Sequence, residues 1–372
     1  IGALLFGPKY VDSKINQTSI HAPFEVSDKA KKLHKDLLIG DWHADSTLWN
    51  RDLSNRYDYG HVDIPRLQKG NVALQMFTSV SKSPRGQNYN KNETSANDNI
   101  TSLVILQRWP IKTWNSLAER VIYQARKIRT LEKEDSQNFM LILSQSDLDE
   151  FLQKRKSNSD LIGGLLGTEG SHALDGELKN IERLFNEGFR MMSLQHFFDN
   201  KLGGSLHGIS GNGLTQFGQE AIQEMLRLGI MIDVSHSSEN VVKDVLNLSD
   251  QPILVSHTGF NGHCPSSRNI SDSLMKEIAK KDGLVAVGFW HAAVCNNTPQ
   301  SVAEAIQYGI ELIGAKHVAL GSDFDGAVRP GFDTSELVAI THELLEAGVK
   351  ESEIRLVMGE NMLNFLKKNL AD

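Results

Sequence analysis

Leu37-Leu38-Ile39-Gly40-Asp41-Trp42-His43-Ala44-Asp45 decides how the rest of the chain is read. It is an apolar run of strand length that ends in His-x-Asp. Residues two apart on a β-strand point to the same side, so the His43 imidazole and the Asp45 carboxylate should stand together. These are two of the ligand types that Zn²⁺ and similar borderline ions take most readily. The pattern recurs downstream. Leu161 to Thr168 runs into Glu169, Met231 to Ser235 into His236, Ile253 to Ser256 into His257, and Val318 to Ser322 into Asp323.

From Leu37 onward, apolar runs of strand length alternate with stretches of helical period, the mark of βα units and a parallel sheet. Eight barrel strands are expected near 37–43, 72–78, 162–169, 189–196, 230–236, 252–257, 284–290 and 318–323. Met140 to Ser144 is a further apolar run. It is assigned to a short accessory strand, because counting it would break eightfold closure. Helices are expected over 214–226, 302–313 and 336–347, with a closing helix over 351–370. The expected fold is thus α/β, a (β/α)₈ TIM-type barrel with room for distortion. The C-terminal ends of such strands meet at one mouth, where chemistry sits. His43, Asp45, Glu169, His236, His257 and Asp323 would arrive there together. That set suits two metal ions sharing a bridging carboxylate, and exceeds the three protein ligands of a single catalytic zinc.

Composition narrows the class. The chain has 372 residues, 40% hydrophobic and 23% charged, in the range of an ordinary globular protein. A net charge of −7 weighs against nucleic acid or an anionic membrane as partner through a broad basic face. Residues 1–36 are read as an N-terminal extension and 37–372 as a single barrel domain. Two long irregular stretches, Ser81 to Asn99 and Asn200 to Gly213, follow strands two and four and are lid candidates. The two cysteines, Cys264 and Cys295, are compatible with one bridge or with two thiols, and do not settle the compartment. The chain starts at Ile1 with the short apolar run Ile1 to Phe6. One reading is a segment packed on the body. The other is the tail of a removed signal or anchor, which favours export, with a membrane tether upstream, over a cytoplasmic setting.

The strand-end motifs, taken in order, resemble the membrane dipeptidase (renal-type dipeptidase) family of the amidohydrolase-like metal-dependent hydrolases. The markers are Asp41-Trp42-His43-Ala44-Asp45, Thr168-Glu169-Gly170-Ser171-His172, Asp233-Val234-Ser235-His236, Ser256-His257, Ser267-Arg268-Asn269 and Gly321-Ser322-Asp323-Phe324-Asp325-Gly326. The resemblance covers about Leu37 to Leu366 and implies a binuclear Zn²⁺ dipeptidase. His43, Asp45 and Glu169 would bind one ion, and Glu169, His236 and His257 the other, with other divalent ions also admissible. His196 corresponds to the residue that contacts the scissile carbonyl, Arg268 to the arginine near the substrate's carboxylate, and Asp323 to the catalytic aspartate. The family pattern also implies a homodimer, though no exposed apolar stripe demonstrates one. Trp42 and Ala44 depart from the usual Gly or Asn and should face away from the metals. Ser171 also departs from a frequent Gly. Phe197-Phe198 and Trp290 differ where relatives carry small polar residues and a tyrosine, which puts substrate preference in question.

The chemistry expected of these residues is amide hydrolysis. A hydroxide shared by two metals would attack. Asp323 would shuttle its proton to the leaving amine, and His196 would stabilise the oxyanion. Arg268, with Trp290 nearby, would select a short substrate with a free C-terminal carboxylate. Plainer readings exist for each. A strand-end histidine can be structural, Glu169 can sit at a helix start, Asp323 can cap its own turn with Asp325 as the catalytic alternative, and Arg268 can lie on the surface. Asp41 is a candidate for orienting a ligand imidazole. Two other functions share the sequence: a binuclear amidohydrolase acting on another small amide, an N-acyl amino acid or a lactone, and a non-catalytic binding barrel.

Overall fold

The computed structural model describes residues 2–372. Ile1, where the apolar N-terminal run begins, lies outside the described residues. Gly2–Ile15 forms a helix, and no described helix is long and apolar enough to cross a membrane.

Nine parallel strands follow: β1 (Ile39–Ala44), β2 (Val72–Val80), β3 (Phe139–Leu141), β4 (Ile162–Glu169), β5 (Phe189–Ser193), β6 (Met231–Asp233), β7 (Leu254–Thr258), β8 (Leu284–Val287) and β9 (Val318–Leu320). Their order is β2-β1-β9-β8-β7-β6-β5-β4-β3, and β2 also pairs with β4. The sheet therefore closes through β2 and β4 into an eight-stranded barrel. β3 is the accessory strand. Phe139 to Leu141 pairs with Ile162 to Gly164 at the start of β4, and β5 takes over on that edge from Leu166.

Alternation along the strands builds two buried layers. Val285 and Val287 join Val72, Phe77, Leu166 and Val318 against the surrounding helices. Leu284 and Ala286 join Leu74, Met76, Leu165 and Met191 in a second cluster, to which Met362, Phe365 and Leu366 of the C-terminal helix belong. A period of two is what places neighbouring residues in opposite layers. The expected closing helix is interrupted. Glu351–Arg355 and Asn361–Asn369 are α-helical, and Leu356–Glu360 forms a wider turn between them. Gly359 sits in that turn because a Cβ there would lie 1.8 Å from the Leu38 carbonyl oxygen. Asn361 donates to the Ala315 and Val318 carbonyls, so this segment covers the strand ends opposite the mouth.

Several strands end sooner than the sequence suggests. β5 stops at Ser193, β6 at Asp233, β8 at Val287 and β9 at Leu320, so His196, His236, Trp290 and Asp323 lie on the loops that follow. The physical reason is visible in two buried carboxylates. Asp41 accepts from the Ser322 N–H (2.8 Å) and hydroxyl (2.7 Å) and from the His43 N–H (3.3 Å). Asp233 accepts from the Ser235 N–H (3.1 Å) and the Ser256 N–H (2.9 Å). Side-chain oxygens thus take over from ladder carbonyls, and the chain leaves strand geometry without orphaning buried N–H groups. Asp41 therefore braces backbone rather than an imidazole, which corrects the role expected of it.

The cysteines pair: Cys264 and Cys295 form a disulfide that joins the loop after β7 to the loop after β8. Away from the mouth, His34 is buried with a fixed neutral ring. Its Nε2–H donates to the Gly70 carbonyl (3.1 Å), so Nδ1 accepts from the Thr341 hydroxyl (2.8 Å). Burial lowers its pKa from 6.5 to about 4, with the Gly70 carbonyl opposing. The unfolded chain binds the extra proton first. His34's contribution is therefore intact above about pH 6.5 and is lost as the pH falls toward about 4, an effect on the order of 3 kcal/mol. Thermal melts from pH 7 to 4.5 should fall more steeply for the wild type than for His34→Gln. Equal slopes would contradict this assignment.

Candidate metal centre

Glu169, the last residue of β4, is the hub of the mouth. Its Oε1 lies 3.5 Å from His43 Nε2, 3.5 Å from His196 Nε2, 3.3 Å from His236 Nε2 and 3.5 Å from His257 Nε2. All five residues are buried. Two overlapping ligand clusters result: His43, Glu169, His257 and Asp323, and Glu169, His196 and His236. Asp45 approaches from the side, with Oδ1 3.7 Å from His43 Nε2. It lies just beyond β1 and leads a short 3₁₀ turn, held by its own N–H to the Phe324 carbonyl (2.8 Å). The Thr78 hydroxyl donates to its Oδ1 (2.7 Å).

A second layer fixes which nitrogen of the His43 and His257 rings faces inward. The Ser256 hydroxyl donates to Asp233 Oδ2 (2.7 Å), which leaves its lone pairs to accept from Nδ1–H of His43 and of His257, each 3.0 Å away. Both rings then turn an Nε2 lone pair toward Glu169. His43 Nε2 has no hydrogen-bond partner among the described residues. His236 Nε2 and His257 Nε2 approach to 2.9 Å. Buried imidazole nitrogens gathered around one carboxylate, two of them 2.9 Å apart, are what a divalent cation satisfies. The electrostatics agree. Burial alone would push the His43 imidazole down, yet Asp45 and Glu169 hold it well above its ordinary pKa, so the site attracts positive charge. Burial raises Asp45 to about 6, with Glu169 adding to the rise and His43 opposing it. Glu169, although burial pushes it up, is held well below its usual range by His196, His236 and His43. The residues present fit a metal centre.

Asp323 and Asp325 separate clearly. Asp323 lines the cavity over Glu169 and is raised well above the ordinary carboxylate range, first by burial and then by Glu169 and Asp45 against His43. Asp325 is turned away. It receives Arg51 Nη2 (2.7 Å), the Ser46 hydroxyl (2.6 Å) and the His61 N–H (2.8 Å), which engage its oxygens fully. Both have positive φ, 61° and 62°, in the tight turn after β9. Gly326 completes that turn, because a Cβ there would lie 2.1 Å from Asp323 Oδ1.

The cavity holds about 90 Å³, and Asp45, Glu169, His196, His236, Arg268 and Asp323 all line it. Arg268 is fully buried rather than at the surface. Its Nη1 donates to the Ser235 carbonyl (2.9 Å) and Nη2 to the His257 carbonyl (2.7 Å), while Nε has no partner. His196 is steered by Nδ1–H donating to the Lys82 carbonyl (2.7 Å). Trp290 stands behind the cavity wall, its ring 5.4 Å from the Arg268 guanidinium carbon. Three features escape a reading of strand ends. Ser256 and Asp233 were legible only as neighbours of candidate ligands. Tyr89 enters from the loop after β2. Leu48, Val80, Ile100 and Val328 give the cavity an apolar side. Both lid candidates are ordered over the mouth, where Asn92 N–H donates to the His207 carbonyl (2.8 Å).

Comparison with known proteins adds independent information. The family model for membrane dipeptidases, peptidase family M19, matches residues 27–371. A dipeptidase of Aspergillus oryzae, aclJ, is 29% identical over 370 residues, covering 90% of this chain and 81% of that protein. Among solved structures, an amidohydrolase from Pseudomonas aeruginosa superposes with a TM-score of 0.69 at 22% identity, covering 92% of this chain and 99% of that one. A metallopeptidase from Rhodobacter sphaeroides, solved with a phosphinate mimic of the dipeptide L-Ala-D-Ala, gives 0.69 at 21% identity, covering 90% and 99%. At these identities the structural matches establish the barrel fold.

Proposed function

The chain belongs to the membrane dipeptidase family, and from that premise we propose that it hydrolyses the amide bond of dipeptides bearing a free C-terminal carboxylate. The observation that carries this reading is the pairing, in one cavity, of a ligand-rich carboxylate hub with a buried guanidinium. Arg268 has no carboxylate within ion-pair distance among the described residues, so its charge faces the cavity without a protein counter-ion. A substrate carboxylate supplies that counter-ion.

His43, Asp45 and Glu169 would hold one divalent ion and Glu169, His236 and His257 a second, zinc being suited to this mix of imidazole and carboxylate. When bound, such ions polarise the scissile carbonyl and acidify water. The chain's own groups do the rest. Arg268 orients the substrate by its carboxylate. Asp323, above the hub, takes a proton from the attacking water and returns it to the departing amine nitrogen. His196, anchored by Nδ1–H on the Lys82 carbonyl, turns Nε2 to the cavity, where a proton on that nitrogen would be donated to the oxygen on which negative charge develops.

The substrate class is tested by comparing a dipeptide with its C-terminal amide in wild type and Arg268→Ala. The variant should raise KM for the acid by about a hundredfold, in line with losing a charge-assisted pair. It should change KM for the amide little. An unchanged KM for the acid in Arg268→Ala would remove the observation on which the dipeptide reading rests.

A further inference from the structure

Arg268 presents only part of its fork to the cavity. Two of its N–H groups are engaged by the Ser235 and His257 carbonyls, and Nε remains buried without a partner. A carboxylate brings two oxygens and about four acceptor sites. One arginine edge leaves some of that capacity unmet in a site with little room for water.

A second donor stands beside it. The Tyr89 hydroxyl accepts from Trp290 Nε1 (3.0 Å) and makes no other hydrogen bond among the described residues. Its O–H proton is therefore free. The Trp290 ring connects it to Arg268, 5.4 Å from the guanidinium carbon, and Tyr89 and Arg268 line the same cavity. Tyr89 is fixed from several directions. Its carbonyl accepts from His207 Nδ1 (2.9 Å). Its ring packs 5.7 Å from Phe197 and 5.5 Å from His207. Next to it, Asn90 Oδ1 accepts from the Ser267 hydroxyl (3.0 Å), the residue before Arg268. Such immobilisation lowers the cost of ordering a binding group when substrate arrives.

Resting on the dipeptidase reading, we propose that Tyr89 is a second ligand of the substrate's C-terminal carboxylate, its hydroxyl donating to that group alongside Arg268. The indole N–H of Trp290 orients the phenol so that the proton faces the cavity. Trp290 is then a positioning residue, which accounts for its place behind the wall. The phenol stays protonated across the working pH range, because burial and the nearby Asp323 push it to about 12 against Arg268. The lid after β2 thereby belongs to the substrate site and is not merely its cover.

The test is Tyr89→Phe, which keeps the ring that packs on Phe197 and His207. KM for a dipeptide should rise about tenfold, the usual effect of removing a hydrogen bond to a charged group, while kcat changes less than twofold. KM for the C-terminal amide should stay within twofold. Trp290→Phe should give a smaller rise of the same kind. A fall in kcat with unchanged KM would place the phenol at the reacting carbonyl instead, and no change in either would remove it from the site. Calorimetric binding of a non-cleavable dipeptide isostere, as acid and as amide, separates this inference from the reading beneath it. If wild type cleaves no dipeptide, the function assigned above fails. A tenfold weaker binding of the acid isostere by Tyr89→Phe would still uphold the carboxylate subsite, and equal binding would overturn it.

Discussion

Glu169→Gln is expected to lower kcat/KM by a thousandfold or more and to reduce the bound divalent ion, with little change in the far-ultraviolet spectrum. One oxygen of Glu169 lies within 3.5 Å of four imidazole nitrogens. An amide has nearly the same shape but carries no charge and offers one acceptor oxygen in place of two. It cannot bridge two cations, and its NH₂ group would point donors into the site. Metal-derived stabilisation of developing charge is worth several kcal/mol, and 1.36 kcal/mol is about tenfold in rate. The measurement is metal content by plasma emission together with steady-state kinetics. Retained metal and retained rate would remove Glu169 from the centre.

Asp323→Asn should separate chemistry from binding. A positioned acid–base group contributes about 10² to 10⁴ in rate, so kcat should fall by that factor while KM moves only a few-fold and metal content stays near wild type. Asn keeps the left-handed turn that Asp323 occupies, since both residues tolerate positive φ. It also removes the repulsion that Glu169 and Asp45 exert on a charged Asp323. A variant with lower metal content and unchanged kcat per bound metal would assign Asp323 to ion binding instead.

The barrel was legible because its signal is periodic and repeated. Eight apolar runs fell where strands form, and Met140 to Ser144 overlapped the short strand that pairs beside β4. Strand ends were less legible. Asp41 and Asp233 replace ladder carbonyls there, and a one-dimensional pattern does not reveal which carboxylate bonds which backbone. The candidate ligands stood out because each lies at the end of an apolar run. Tyr89 did not, because it sits in a polar loop, and its position depends on His207 and Trp290, more than 100 residues away. Asp323 and Asp325 were indistinguishable by spacing. They separate only through Arg51, Ser46 and His61, which converge on Asp325 from elsewhere in the chain.

The most direct test of the account is hydrolysis by the Zn²⁺-reconstituted protein, read as amine release for the amides and as acid release for the lactone. The panel comprises L-L and L-D dipeptides, an N-acyl amino acid, a lactone and a tripeptide, each with and without chelator. The account predicts chelator-sensitive cleavage of dipeptides and none of the tripeptide. Turnover of the acylated or cyclic substrate without dipeptide cleavage, or dipeptide cleavage that survives chelation, would contradict it.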